Sequence, residues 1–177
     1  MNIIKYLKII FFSTFVILVS TQSKSETKIA IVQMDNIIGQ SLAGKSLIVQ
    51  MKKLHEENKT YFNQAKKKLN LEKDKINSQK NVLSKEEYEK KVTTLNKDFE
   101  SYKNNGEKKI RLLESKRDKA MQNILNELNK IFTQYSNENK LSFIIDQKNI
   151  IIGKTNLNIT NEIVKILDSK LKKVSLK

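Results

Sequence analysis

Apolar residues recur at steps of three and four through the second half of the chain. Tyr88, Val92, Leu95, Phe99, Tyr102, Gly106, Ile110 and Leu113 follow one another at steps of 4, 3, 4, 3, 4, 4 and 3, and Ala120, Ile124, Leu128, Ile131 and Tyr135 carry the stripe on. Such spacing is a coiled-coil seam, and the extra step of four at Gly106 is a stutter that locally unwinds it. Upstream, Leu47, Met51, Leu54, Tyr61, Phe62, Ala65, Leu69, Ile76 and Leu83 form a sparser stripe with polar gaps. Each stripe is one residue wide, so each helix needs a partner. Ser84 stands three residues before Glu87, the spacing of a capping box, and marks where a second helix starts. The reading is an antiparallel hairpin over 41–139 with its turn near 83–85, two arms of about 43 and 56 residues reaching roughly 60–70 Å.

The flanks carry a different pattern. Thr27–Met34, "TKIAIVQM", is a short apolar run with β-branched residues and predicts a strand. "LSFIID" and "NIIIG" predict two more strands joined by a tight turn at Gln147-Lys148 as a hairpin. The closing "NITNEIVKILDSKLKKV" predicts an amphipathic helix with Asn158 as N-cap, Ile159, Ile163, Ile166, Leu167 and Leu171 as its stripe, and Lys170, Lys172 and Lys173 at its C-terminal end. The expected fold is thus α+β and mostly helical, a long coiled-coil hairpin projecting from a small β-body built from 26–40 and 140–177. A body of 53 residues is marginal alone. Its short strands with open edges invite pairing between copies, with Ile29, Ile31, Phe143, Ile145 and Ile151 as the candidate oligomerisation residues.

The first 25 residues stand apart from this pattern. A basic start, "MNIIKYLK", precedes the twelve apolar residues Ile9–Ser20, and Ser23 and Ser25 supply a small-x-small cleavage site before Glu26. Twelve such residues are short of the ~20 that span a bilayer, so the segment reads as a secretory signal peptide cleaved after Ser25. The exported chain keeps a net charge of +12 once Lys5, Lys8 and Lys24 are set aside from the whole-chain +15. It has no Cys, so no disulfide staples it, and no Pro, which suits long unbroken helices. A surface this basic attracts acidic unfolded chains, anionic lipid or nucleic acid.

"GQSLAGKS", Gly39–Ser46, spells the phosphate-binding pattern G-x-x-x-x-G-K-S, and "LSFIID" offers Asp146 as the aspartate of a Walker B strand. A coiled coil between the two is similar to the SMC-type ATPases. Against nucleotide binding, "DNII" separates the strand from the first glycine, and 53 residues outside the arm are too few for a layered NTPase core. Export also places the chain where ATP is scarce. Gly44-Lys45-Ser46 is therefore expected in the first turns of the long helix. The single histidine, His55 in "HEENK", lacks the second histidine of H-E-x-x-H and reads as a solvated arm residue. Pairs such as Glu56-Glu57 and Glu86-Glu87 lie among lysines on an exposed face. No catalytic, metal or cofactor constellation is expected, and the chain is read as a non-enzyme.

"KIAIVQMDNII", "AGKSLIVQMKKL", the long charged hairpin, "LSFIIDQKNIII" and "LNITNEIVKIL" together resemble the Skp/OmpH family of periplasmic chaperones over essentially the whole exported chain. Asn158 stands where the family frequently has Asp before Ile-Thr. The resemblance implies a periplasmic homotrimer whose arms grip unfolded outer-membrane β-barrel proteins without ATP, with anionic lipid or lipopolysaccharide as further candidate partners. The residues suggest how. Lys66, Lys67, Lys68, Lys73, Lys75, Lys80, Lys85, Lys90 and Lys91 surround the expected tip and outnumber its acids, giving +4 over residues 66–91. They would hold acidic chains by many weak, salt-screened contacts. Tyr61, Phe62, Tyr88, Phe99 and Tyr102 would touch apolar client side chains wherever the seam leaves them open. Asn104, Asn105 and Gly106 are the candidate hinge of the second arm. A structural tether of the cell envelope is the rival reading. Specific nucleic-acid binding is not expected, because the lysines are scattered along whole helices.

Overall fold

The computed structural model describes residues 27–176; the expected signal peptide and its cleavage point lie outside them. The chain opens with β1 (Ile29–Val32), a four-residue strand. Helix α1 (Met34–Gln40) follows, then α2 (Leu42–Ser78) of 37 residues and α3 (Lys85–Asn139) of 55. Strand β2 (Phe143–Asp146) returns beside β1, and α4 (Thr160–Lys170) closes the body. The strands pair in parallel, with Ile29 opposite Phe143 and Val32 opposite Asp146. A parallel pair needs a crossover connection rather than a turn. Here the crossover is the entire α2–α3 arm.

At ~1.5 Å per residue α2 extends about 55 Å and α3 about 80 Å. The distal part of α3 pairs with α2, and its last five turns reach into the body. Ser84 caps α3 with the expected box: its hydroxyl accepts from Glu87 N at 3.3 Å, and Glu87 Oε2 accepts from Ser84 N at 3.2 Å. The loop between the helices is residues 79–84, so α2 stops at Ser78, earlier than the expected arm of about 43 residues.

The core sits at the arm's root. Ile37 of α1, Ile124, Leu128 and Ile131 of α3, and Ile163 and Leu167 of α4 are at most 1% exposed. Val32, Ala43, Leu47 and Val174 complete the cluster. Each side chain so buried contributes on the order of 1.5–3 kcal/mol, so the body and the proximal arm are one packed unit. None of the helices among the described residues is long and apolar enough to cross a membrane.

Three sequence expectations fail for identifiable reasons. The β-hairpin of "LSFIID" and "NIIIG" is absent. Residues 147–149 form a single 3-10 turn, whose Lys148 N donates to Asp146 Oδ1 at 3.2 Å, and 150–153 form no strand. One edge of β1 is taken by β2, and the other meets Asn158 through a bridge at Ile31 and a bond from Ile159 N to Ile31 O at 2.9 Å. In place of the two-residue turn that a hairpin needs stands this 3-10 turn, and "NIIIG" pairs with neither strand among the described residues. The body accordingly has two strands rather than three, and β1 is shorter than Thr27–Met34. Helix α1 occupies "DNII", read as the strand's exit; at seven residues it is too short to display a period.

The last helix is also shorter than expected. Ile159 rather than Asn158 stands at the N-cap, while Asn158, one position earlier, accepts from Thr160 N through its Oδ1 at 2.9 Å. Beyond Lys170 the chain leaves the helix and runs back over the arm's root. Val174 is 7% exposed there, Gln50 Nε2 donates to Val174 O at 2.8 Å, and Lys116 Nζ donates to Leu176 O at 3.4 Å.

Candidate functional site

The P-loop pattern has a structural explanation. Ser41 ends α1 and caps α2, with its hydroxyl accepting from Gly44 N at 3.1 Å and donating to Ile38 O at 3.1 Å. A Cβ on Gly44 would lie 1.6 Å from Ile38 O, so only glycine lets the first turn of α2 cross the end of α1. Three of the amides that a phosphate would need are already engaged. Leu42 N donates to Asp168 Oδ1 at 2.7 Å, Gly44 N to Ser41 Oγ and Lys45 N to Ser41 O at 2.9 Å. The anion-favouring helix start is thus filled by a carboxylate of α4. Asp146 accepts from Lys148 N rather than facing Gly44-Lys45-Ser46. His55 is exposed on the arm.

The arm carries the candidate binding groups. Eight of the nine expected lysines (Lys66, Lys67, Lys68, Lys73, Lys75, Lys80, Lys85 and Lys90) are exposed, and Lys91 is half-buried. Among the described residues only Lys85 of these has a carboxylate within reach, Glu89 at 4.0 Å. The exposed others carry their charge on a solvated surface where salt screens it. Near the tip, the Ser84 hydroxyl and backbone hold the Glu87 carboxyl below the usual carboxylate range, with Lys91 adding to the effect.

The expected aromatics divide by position. Phe62, Tyr88, Phe99 and Tyr102 are half-buried along the seam, so much of their surface faces the partner helix. Phe62 meets Tyr102 edge-to-face with ring centroids 5.7 Å apart. Tyr61 is turned outward, 49% exposed, with Lys109 Nζ 4.7 Å from its ring centroid, a cation–π geometry. Asn104, Asn105 and Gly106 lie within an unbroken helix, Asn104 and Asn105 on its outer face. Gly106 faces Phe62, whose ring would be 3.7 Å from an added Cβ.

Of the body residues, Ile29, Phe143 and Ile151 are exposed, as is Ile152, while Ile145 is half-buried. Ile31 is 6% exposed and packs inside its own chain. Ile29, Phe143, Ile151 and Ile152 thus leave apolar surface of the body open to solvent. Inside the body, burial raises the Tyr135 hydroxyl's pKa, and Glu162 adds to the rise.

Sequence reasoning missed a cavity of about 660 Å³ on the arm, lined by Met51, Phe62, Tyr102, Gly106, Ile110 and Leu113 among others. Its signal was present as the stutter at Gly106 together with Asn58, a polar residue, one turn before Phe62.

The comparisons with known proteins agree with this architecture. The family model described as "Outer membrane protein (OmpH-like)" matches residues 28–167. A crystal structure from Caulobacter crescentus, of an OmpH-like protein described as an outer membrane chaperone, superimposes with a TM-score of 0.79 at 20% sequence identity. The alignment covers 88% of this chain and 92% of that one. At that identity the likeness concerns the fold. No curated protein is significantly similar in sequence.

Proposed function

The chain belongs to the OmpH-like outer membrane protein family, and on that premise we propose that it is an ATP-independent holdase chaperone of the periplasm. It binds unfolded outer-membrane β-barrel proteins between the arms of a homotrimer and keeps them from aggregating. The observation that carries this reading is the arm itself: a two-helix projection whose distal lysines are exposed apart from the half-buried Lys91, with only Lys85 and Lys91 acting on a carboxylate. Electrostatic attraction from such a surface is long-ranged and weak per contact, suited to a flexible acidic chain with no fixed shape. Apolar surface on the arm, Tyr61 and Ile110 among it, adds contacts that any unfolded sequence can use.

The body supports assembly. A two-stranded sheet is marginal in water. Here it leaves one edge of β2 unpaired among the described residues, a margin that carries Phe143 at 59% exposure, while Ile151 and Ile152 are 105% and 91% exposed. Pairing of this margin with other copies buries it and sets the arms around a common space. Anionic lipid or lipopolysaccharide is a second ligand class that the same lysines suit. Sedimentation of the exported protein, alone and mixed with a barrel protein diluted from urea, tests the reading. A trimer alone and a larger soluble complex with the barrel are expected. A monomer, or a barrel that pellets while the protein stays behind, contradicts it.

A further inference from the structure

Midway along the arm the two helices part. The α3 seam sets Gly106, which has no side chain, between Tyr102 and Ile110, at the extra four-residue step. Across from it, α2 sets His55 and Asn58 between Met51 and Phe62, where an apolar pair would close the seam. The result is the 660 Å³ groove, with Phe62 and Tyr102 at its distal end and Met51 and Leu113 at its proximal end. Ile110 belongs to the seam's stripe yet is 59% exposed, because no residue of α2 covers it. From Met51 to Phe62 the helix rises about 16 Å, the length of roughly five residues of extended chain.

We infer that this groove is a docking slot for an extended, acidic client segment, which places one large apolar or aromatic side chain over Ile110 and Gly106. This deepens the holdase reading and rests on it. Three features select the occupant. The slot is flanked by Lys59, Lys103, Lys109 and Arg117 against Glu107 and Glu114; with Lys59 paired to Glu56 at 3.9 Å, Arg117 to Asp118 at 2.8 Å and Glu107 to Arg111 at 3.8 Å, Lys103 and Lys109 remain against Glu114. The surplus of positive charge complements acidic residues on either side of the inserted one. The Phe62–Tyr102 pair presents ring faces and edges at one end, the geometry in which aromatic contacts are favourable beyond their buried area. Along one wall the side chains of His55 and Asn58 offer hydrogen-bonding groups to a peptide backbone, which an acyl chain could not use.

The test is fluorescence anisotropy of a labelled eight-residue peptide alternating Phe and Asp, titrated with the exported protein. Two variants alter the slot: Gly106→Leu fills it from a position where a Cβ meets only Phe62 at ordinary contact distance, and Ile110→Ser strips its exposed floor. Circular dichroism melting checks that both remain folded. At least tenfold weaker peptide binding by both variants is expected, and a similar loss when the peptide's Phe is changed to Ala or its Asp to Lys. Wild-type affinity in both folded variants overturns the slot. Vesicles of anionic phospholipid that bind with dependence on Ile110, while the peptide does not, overturn it too and make the groove a lipid site. If the variants bind peptide normally and wild-type protein still protects an unfolded barrel, the slot alone falls. If wild-type protein gives no protection, the holdase reading falls with it.

Discussion

Replacing Gly44 by alanine sets two opposed effects against each other on one carbon atom. In a helix interior Ala is favoured over Gly by about 1 kcal/mol. The new Cβ, however, would lie 1.6 Å from Ile38 O and 2.7 Å from Ile38 C, both backbone atoms that no rotamer change can move. Helix α1 must be displaced, and it carries Ile37, which is fully buried at the centre of the core. Overpacking of this kind costs about 1–3 kcal/mol, and loosening a large buried aliphatic side chain costs up to about 2–5 kcal/mol. The net expectation for Gly44→Ala is a loss of at least about 2 kcal/mol, lowering the melting temperature by at least about 4–8 °C in a chain of this length. Gly106→Ala is the matched control, since its Cβ would rest at an ordinary 3.7 Å from Phe62. That variant should hold or gain up to about 1 kcal/mol. Melting by circular dichroism at 222 nm decides the matter. A Gly44→Ala protein that melts with wild type or above it would refute the close crossing of α1 and α2, and with it the explanation of the P-loop pattern.

Leu128→Ala empties a wholly buried site among α1, α3 and α4 and should cost about 2–5 kcal/mol in urea unfolding. Ser84→Ala removes the hydroxyl that caps α3 and should cost that helix start about 1 kcal/mol. Because Glu87 is held below the usual carboxylate range, its capping contribution is fully present above the ordinary glutamate pKa. That contribution is lost as pH falls through the lower folded value; carbon-detected NMR should find Glu87 titrating below the ordinary glutamate range, and rising towards it in Ser84→Ala. Changing Lys66, Lys67, Lys68, Lys73 and Lys75 to Gln should weaken binding of an unfolded barrel severalfold at low ionic strength and flatten its salt dependence, read by titration between 50 and 300 mM salt, roughly the range over which the Debye length shrinks from ~14 to ~6 Å.

The long elements were written in the sequence because each repeats its signal many times. Thirteen seam positions from Tyr88 to Tyr135 leave little freedom in placing α3, and Ser84 with Glu87 fixes its start. What escaped reading depends on contacts distant along the chain. The parallel pairing of β1 with β2 joins residues 114 apart, and an apolar run such as "NIIIG" does not say whether a partner strand exists. Gly44 looked like a phosphate-binding glycine because its real neighbour, the Ile38 carbonyl, belongs to a helix too short to show a period. The C-terminal lysines suggested a longer helix, whereas burial of Val174 and the Gln50 side chain's bond to its carbonyl draw the tail onto the arm. For the candidate site, charge was legible residue by residue. The groove was not, because it arises from what Gly106 and Asn58 fail to fill together.

The central claim is that these arms keep an unfolded barrel soluble without nucleotide. Its most direct measurement is light scattering from a urea-denatured outer-membrane β-barrel diluted into buffer, with and without the exported protein and with no ATP present. Scattering suppressed at equimolar trimer, and restored as salt is raised, is the predicted result. Scattering undiminished at any ratio would contradict the account and favour a structural role for the arms in the envelope, while suppression only after adding ATP would return Gly44-Lys45-Ser46 to the role its spelling suggests.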